Sequence, residues 1–277
     1  MTLGGEGRSA GGEGRFAGRT CLVTGSTGMA ASAARAIGAE GGAVFILSRT
    51  AAHAEALASA IVAAGGRATW RAGDASRESD VDDAVDACAA EYGRIDAVFS
   101  AAGISGRRFG DGPLHEATLE GWETVMAANA RSQFLVCRAV IRRMLAQEPD
   151  ANGERGCLLT MSSTLANHPA PLHFATHAYA ASKGAIEAFT RAVAAFYAPH
   201  GIRANAIAPA LVVTPMSRRA QDDPAIIAYL ERRQPLAGGA IAPDAVTGTV
   251  LFLLSPEARM VTGQVVAVDG GWSVSEG

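Results

Sequence analysis

Residues 21–31 read Cys21-Leu22-Val23-Thr24-Gly25-Ser26-Thr27-Gly28-Met29-Ala30-Ala31, and an alanine-rich stretch continues from there to Glu40. A short apolar run closed by glycine suits a strand buried on both faces of a parallel sheet. A strand, a glycine turn and a helix in that order can cradle a pyrophosphate. Glycine lets the backbone approach closely, and the helix start offers free N–H groups and the positive end of its dipole. Glycine also serves such turns for packing alone, so the neighbouring segments must decide.

The same rhythm repeats outward from this unit. Further strands are expected at Ala43–Leu47, Arg67–Ala72, Ile95–Ser100, Gly156–Met161, Arg203–Ala208 and Val265–Val268. Helices are expected at 51–64, 78–92, 119–147, 179–197, 224–233 and 243–254. Strands alternating with helices imply right-handed crossovers, hence a doubly wound α/β fold with about seven parallel strands and helices on both faces. In such sheets ligands bind beyond the carboxyl ends of the strands. The helix from Tyr179 is apolar almost all round, with Ala180, Ala181, Ile186, Phe189, Val193 and Phe196. One face would cover the sheet and the other would pack on another subunit.

The second strand ends Leu47-Ser48-Arg49-Thr50. An acidic residue there would bond a ribose 2′-hydroxyl, whereas a hydroxyl followed by a guanidinium suits the 2′-phosphate of NADP(H). Asp74, after the third strand, is placed to accept from an adenine amino group, although aspartate there can also cap a helix.

Lys183 is the only lysine in the chain, and Tyr179 stands four residues before it. On a helix that spacing puts both side chains on one face. An ammonium beside a phenol favours phenolate. Lowering a tyrosine from about 10 to about 7 takes roughly 4 kcal/mol, close to what one cation at about 4 Å contributes at an effective dielectric near 20. The pair is therefore expected to exchange a proton near neutrality.

At 277 residues, with 49% hydrophobic and 18% charged side chains, the chain can bury an ample single core. Its formal net charge of −3 argues against a nucleic-acid surface. No stretch is apolar for long enough to span a bilayer, and the N-terminus lacks a hydrophobic signal core, so a cytoplasmic protein is expected. Cys21, Cys88, Cys137 and Cys157 are far apart and read as buried small apolar residues. Residues 1–17 are rich in glycine and read as a disordered tail, leaving 18–277 as one dinucleotide-binding catalytic domain. His173 and His177 are spaced as on a helix, with His168 nearby, but prolines precede them and no carboxylate or cysteine joins them, so no metal site is expected.

Taken together, the turn and the Tyr179–Lys183 pair resemble a short-chain dehydrogenase/reductase of the short, 3-oxoacyl-reductase-like form, over about Gly18 to Trp272. Ser100-Ala101-Ala102-Gly103 stands where that family has Asn-Asn-Ala-Gly. Met161-Ser162-Ser163, Tyr179-Ala180-Ala181-Ser182-Lys183, Asn205 to Pro209 and Thr214, Thr262-Gly263-Gln264 and Asp269-Gly270-Gly271 also match in order. The resemblance implies a Rossmann-type fold and an oxidoreductase moving a hydride between NADP(H), or NAD(H), and a ketone or secondary alcohol. It implies a relay in which Tyr179 is the acid/base and Lys183 lowers its pKa and holds the nicotinamide ribose. Ser163, rather than Ser162, would orient the substrate oxygen, and Asn129 would fix a water that links Lys183 to solvent. It places the cofactor on Gly25, Ser26, Thr27, Gly28, Met29, Ser48, Arg49, Asp74, Ala75, Ala101, Ala102, Gly103, Tyr179, Lys183, Pro209, Val212 and Thr214. A homotetramer, or a dimer, and a small carbonyl or alcohol substrate are expected with it, and no nucleic-acid or membrane partner.

The chain departs from that pattern in places. The glycine turn is one residue short, with Ala30 or Ala31 where a third glycine is common. Ala210 follows Pro209 in place of glycine, and about three extra residues separate Ser163 from Tyr179. The inserted stretch, 167–177, should border the substrate mouth. Arg218 and Arg219 lie in the expected substrate lid, where they could grip an anionic carrier or simply face water. An apolar or cyclic carbonyl and a 3-oxoacyl thioester both remain open as substrates. The rival to an enzyme is a non-catalytic dinucleotide-binding sensor or scaffold of the same fold, supported only by the altered turn. An extended-type epimerase or dehydratase would need more chain after the sixth strand.

Overall fold

The structure is a computed structural model and describes residues 14–276. Seven parallel strands form one sheet: β1 (Thr20–Thr24), β2 (Ala43–Ser48), β3 (Arg67–Ala72), β4 (Ala97–Ser100), β5 (Gly156–Met161), β6 (Ile202–Pro209) and β7 (Val265–Val268). Their order is β3-β2-β1-β4-β5-β6-β7. The order reverses between β1 and β4, so the connections leave in opposite directions there and a crevice opens beyond the strand ends.

The helices are α1 (Gly28–Ala39), α2 (Ala51–Ala63), α3 (Glu78–Tyr92), α4 (Leu119–Met126), α5 (Ser132–Leu145), α6 (Pro171–Phe174), α7 (His177–Tyr197), α8 (Arg218–Gln221), α9 (Pro224–Arg233) and α10 (Pro243–Leu254). Adjacent residues of β1, β4 and β5 point to opposite sides of the sheet. Val23, Phe99 and Leu159 pack with α1, α2 and α10. Leu22, Val98 and Leu158 pack with α3, α5 and α7. Removing each large aliphatic side chain from water contributes about 1.5–3 kcal/mol, and both faces of the central strands do so. A smaller cluster, including Ala220, Ile226, Leu230 and Trp272, sits under the lid formed by α8 and α9. Among the described residues no helix is long and apolar enough to cross a membrane.

Two expectations change. Of the expected tail, residues 1–13 lie outside the described residues, whereas Arg15, Phe16 and Ala17 pack against the end of α1 and the turn into β2. Phe16 is 0% exposed, its N–H donates to the Glu40 carbonyl at 3.1 Å, and Arg15 pairs with Glu40. One aromatic ring with a core position is enough to fasten a segment that otherwise has little to bury.

The single helix expected over 119–147 is broken by a π turn at Ala127–Arg131, between α4 and α5. Such a turn leaves the ordinary i→i+4 register, and it is often stabilised by what its side chains reach. Here Asn129 Oδ1 accepts from the Ile104 N–H at 2.8 Å, and Nδ2 donates to the Ile104 carbonyl at 3.1 Å and to Ser182 Oγ at 3.0 Å. None of those partners is close in sequence, so hydrophobic spacing alone continues the helix through the break.

Candidate active site

The crevice begins at the end of β1. Thr24 Oγ1 accepts from the Ala101 and Ala102 N–H groups at 3.0 and 3.1 Å, which locks the end of β4 beside that of β1. Gly25 and Gly28 take positive φ values of 98° and 54°, a conformation that costs side-chain-bearing residues energy. A Cβ on Gly28 would sit 2.8 Å from Thr214 Cγ2, so the turn and the segment after β6 close on each other only with glycine there. No side chain caps the start of α1, so its first N–H groups remain free to meet an anion. The shortened turn therefore still presents uncapped N–H groups to the crevice, as a phosphate cradle requires.

Ser26, Thr27, Met29, Ser48, Arg49, Asp74, Ala75, Ala101, Ala102, Gly103 and Thr214 all line this crevice together with the two glycines. Ser26 Oγ and Ser48 Oγ are 2.8 Å apart, which fastens the turn to the end of β2. Arg49 is exposed at the far rim. Burial works against the Asp74 charge, but the N–H and hydroxyl of Ser76 and the positive charges of Arg49 and Arg77 outweigh it and hold the carboxyl below its ordinary range. Asp74 Oδ1 is committed to Ser76 at 2.8 Å. His53 also lines the crevice; one turn into α2, it carried no sequence signal.

A second chamber opens from the crevice, sharing Ala101, Gly103 and Thr214 with it. Ser163, Tyr179, Lys183, Pro209 and Val212 line this chamber. Ser163 sits just beyond β5, where its Oγ faces the Pro209 carbonyl at 3.5 Å. Ser162 turns the other way: its Oγ donates to Glu187 Oε1 at 2.8 Å and lies 3.2 Å from the Lys183 carbonyl. Tyr179 and Lys183 share a face of α7, with Lys183 Nζ 5.4 Å from the Tyr179 ring centre. Asn129 is buried behind them.

The electrostatics differ from the expectation. Burial pushes the Tyr179 phenol above its ordinary value, and the nearby Ser163 hydroxyl offsets this only in part. The reason lies in the neighbour. Burial also lowers Lys183 to about 7, so near neutrality the amine carries its proton only part of the time, and a neutral amine exerts no pull on a phenol. Its Nζ donates to the Met161 carbonyl at 2.8 Å. The phenol is thus a held proton rather than a shed one.

Other residues that set this geometry escaped the sequence reading. No side chain of α7's own approach caps it; instead Asp111 Oδ1 and Oδ2 accept from the Ala178 and Tyr179 N–H groups at 3.0 and 2.9 Å. Asp111 is buried and lies 67 positions away from Ala178 along the chain, a distance no local motif spans. Glu187, also buried, joins Ser162 to Asn167 at the start of the inserted stretch. That stretch borders the chamber through Phe174. Its histidines do not converge: His173 stacks on Tyr229 and His177 Nδ1 meets the Gly112 carbonyl. Among the described residues no group of three metal-ligating side chains gathers.

Residues 23–273 match the family described as enoyl-(acyl carrier protein) reductase. The cyclopentanol dehydrogenase of Comamonas sp. (strain NCIMB 9872) is 34% identical over 258 residues, covering 93% of this chain and 98% of that one. A short-chain type dehydrogenase/reductase from Mycobacterium ulcerans superposes with a TM-score of 0.85 at 27% identity, over 95% of this chain and 92% of that one. A gluconate 5-dehydrogenase from Burkholderia cenocepacia J2315, in complex with NADP and tartrate, superposes with a TM-score of 0.83 at 31% identity, over 94% and 98% of the two chains.

The cap on α7 has a measurable weight. Asp111→Ala leaves the Ala178 and Tyr179 N–H groups without partners, and the expected loss is about 1–2 kcal/mol of stability. Urea unfolding monitored by circular dichroism reads it; an unchanged midpoint would mean that the carboxylate contributes nothing to the helix.

Proposed function

The chain belongs to the short-chain dehydrogenase/reductase family and is a nicotinamide-dinucleotide-dependent oxidoreductase acting between alcohol and ketone; on that premise we propose that it prefers NADP(H) and works through Ser163, Tyr179, Lys183 and Asn129. The observation that carries this is the meeting of Ser163, Tyr179 and Lys183 on the wall where the substrate chamber joins the dinucleotide crevice.

Bound in the crevice, the cofactor supplies the hydride chemistry. The protein's part is placement and proton transfer. Ser163 Oγ both donates and accepts, and so orients the substrate oxygen toward the phenol. Tyr179 holds its proton at neutral pH, as a phenol does, and is therefore the group that can protonate a ketone oxygen during reduction; burial, which raises its pKa, makes the release harder. Lys183, in its charged fraction, eases the loss of that proton. The Asn129 side chain is committed to Ile104 and Ser182, so a water linking Lys183 to solvent would rest on its main-chain carbonyl.

Ser48 and Arg49 support NADP(H). A guanidinium at the rim and a hydroxyl tied to the glycine turn can receive a 2′-phosphate, and no acidic side chain stands at the end of β2 to reject it. The chamber wall supports a compact, apolar or cyclic ketone, with Met29, Ile104, Leu165, Leu211 and Trp272 in it. Exposed Trp122 on α4, Phe134 on α5 and Phe196 on α7 support self-association, as a homotetramer or a dimer.

Three measurements test these assignments. Tyr179→Phe should lose nearly all turnover, at least 1,000-fold by order of magnitude, while cofactor affinity by fluorescence titration is kept; retained turnover refutes the acid/base role. Arg49→Ala should weaken NADPH by about tenfold more than NADH, and equal losses would remove the phosphate reading. Light scattering should give four protomer masses, or two; a monomer would leave the exposed aromatic side chains without their proposed partner.

A further inference from the structure

Two guanidiniums face each other at the mouth of the substrate chamber, and the proposed chemistry uses neither. Arg107 lies in the turn after β4 and Arg219 on α8 of the lid, so they come from opposite walls. Both line the chamber. Each donates through a terminal nitrogen to one and the same acceptor, the carbonyl of His173, at 2.8 and 3.0 Å. Two like charges are thereby drawn together on a single neutral oxygen.

Neither arginine has a carboxylate partner among the described residues. Asp111, whose charge acts on Arg107, has both oxygens engaged by the α7 N–H groups. Burial, and then the charge of Arg219, depress the Arg107 pKa, with Asp111 pulling the other way. Arg219 also lies over the Phe174 ring, 5.7 Å from its centre, so one face of the guanidinium is covered. Arg108 and Arg218, their exposed sequence neighbours, are also cationic, and Asp111 offsets only part of the pair's charge. Like charges this close cost energy unless an anion sits between them, and a carboxylate matches guanidinium forks in shape as well as charge.

Between this cationic rim and Tyr179 the wall is apolar, formed by residues such as Ile104, Leu165, Phe174 and Trp272. We propose that the substrate is an oxo acid or hydroxy acid: a compact apolar skeleton with the reacting carbonyl or carbinol at one end and a carboxylate at the other, clasped between Arg107 and Arg219. The apolar wall would take the skeleton, and the two arginines would fix which end points at Ser163 and Tyr179. Substrate entry would also draw the lid, through Arg219, toward the turn after β4. This inference rests on reading the chamber as a ketone-reducing site.

The test compares acids with their esters. The probes are 4-oxocyclohexanecarboxylate and 6-oxoheptanoate, each beside its methyl ester, assayed by nicotinamide absorbance with NADPH and with NADH. For at least one skeleton the acid should exceed its ester in kcat/KM by about 10- to 100-fold, mostly through KM, since charge-assisted bonds at a partly open mouth carry such a margin. In Arg107→Ala or Arg219→Ala the acid-to-ester ratio should fall about tenfold, and in the double variant it should approach one. Esters that match or surpass their acids in both skeletons, or a ratio that neither variant moves, would overturn the carboxylate clasp while leaving the ketone-reducing reading intact. If none of the four compounds is turned over, that broader reading fails for them, and calorimetric titration decides the clasp by itself. Acids binding at least tenfold tighter than esters, with the margin lost in the double variant, uphold it; equal affinities sink it.

Discussion

One buried amine holds the working end of this molecule together. Lys183 is 3% exposed, and its Nζ donates to the carbonyl of Met161, the last residue of β5. That bond fixes the rotation of α7 about its axis relative to the strand that delivers Ser163. Burying an ammonium is costly, and the protein meets the cost by letting the group surrender its proton near neutrality. The same desolvation that weakens the charge raises the phenol one turn earlier. Helix register, strand end and proton affinity are therefore consequences of a single placement, and none could be changed without the others.

Around that tie the remaining constraints are long-range. Asp111 reaches from the loop after β4 to the first turn of α7. Asn129 reaches from a π turn to the segment after β4 and to Ser182. Glu187 connects the residue before Ser163 with the inserted stretch. Each ties α7 to a different connection, so the helix is fixed from three sides by polar groups whose alternatives, unpaired in the interior, would be expensive. The sheet supplies the rigid frame; these side chains supply the aim.

Most of the frame was legible because its signals are local. Apolar runs at Cys21–Val23, Val98–Phe99 and Leu158–Leu159 announce strands wherever they fall, and the glycines mark the turn. Ser163 and the residues expected to hold the cofactor line the crevice or the chamber, most of them at strand ends; Asn129 lines neither and is tied to Ile104 and Ser182 instead. What was not legible depends on partners distant in the chain. The π turn needs Ile104 and Ser182, the α7 cap needs Asp111, and Phe16 needs the space beside Gly42. The direction of the Tyr179 shift is not legible in the spacing of the pair, because burial raises the phenol and lowers the amine together.

The seclusion of Lys183 reaches beyond the cleft. Since it is the only lysine in the sequence, the outer surface presents no side-chain amine. Every exposed basic group other than histidine is a guanidinium, which does not titrate in any ordinary range and is a poor nucleophile. Reagents and modifications directed at amines, whether acylating, crosslinking or conjugating, would find their one side-chain target buried on α7 and reachable only by way of the chamber.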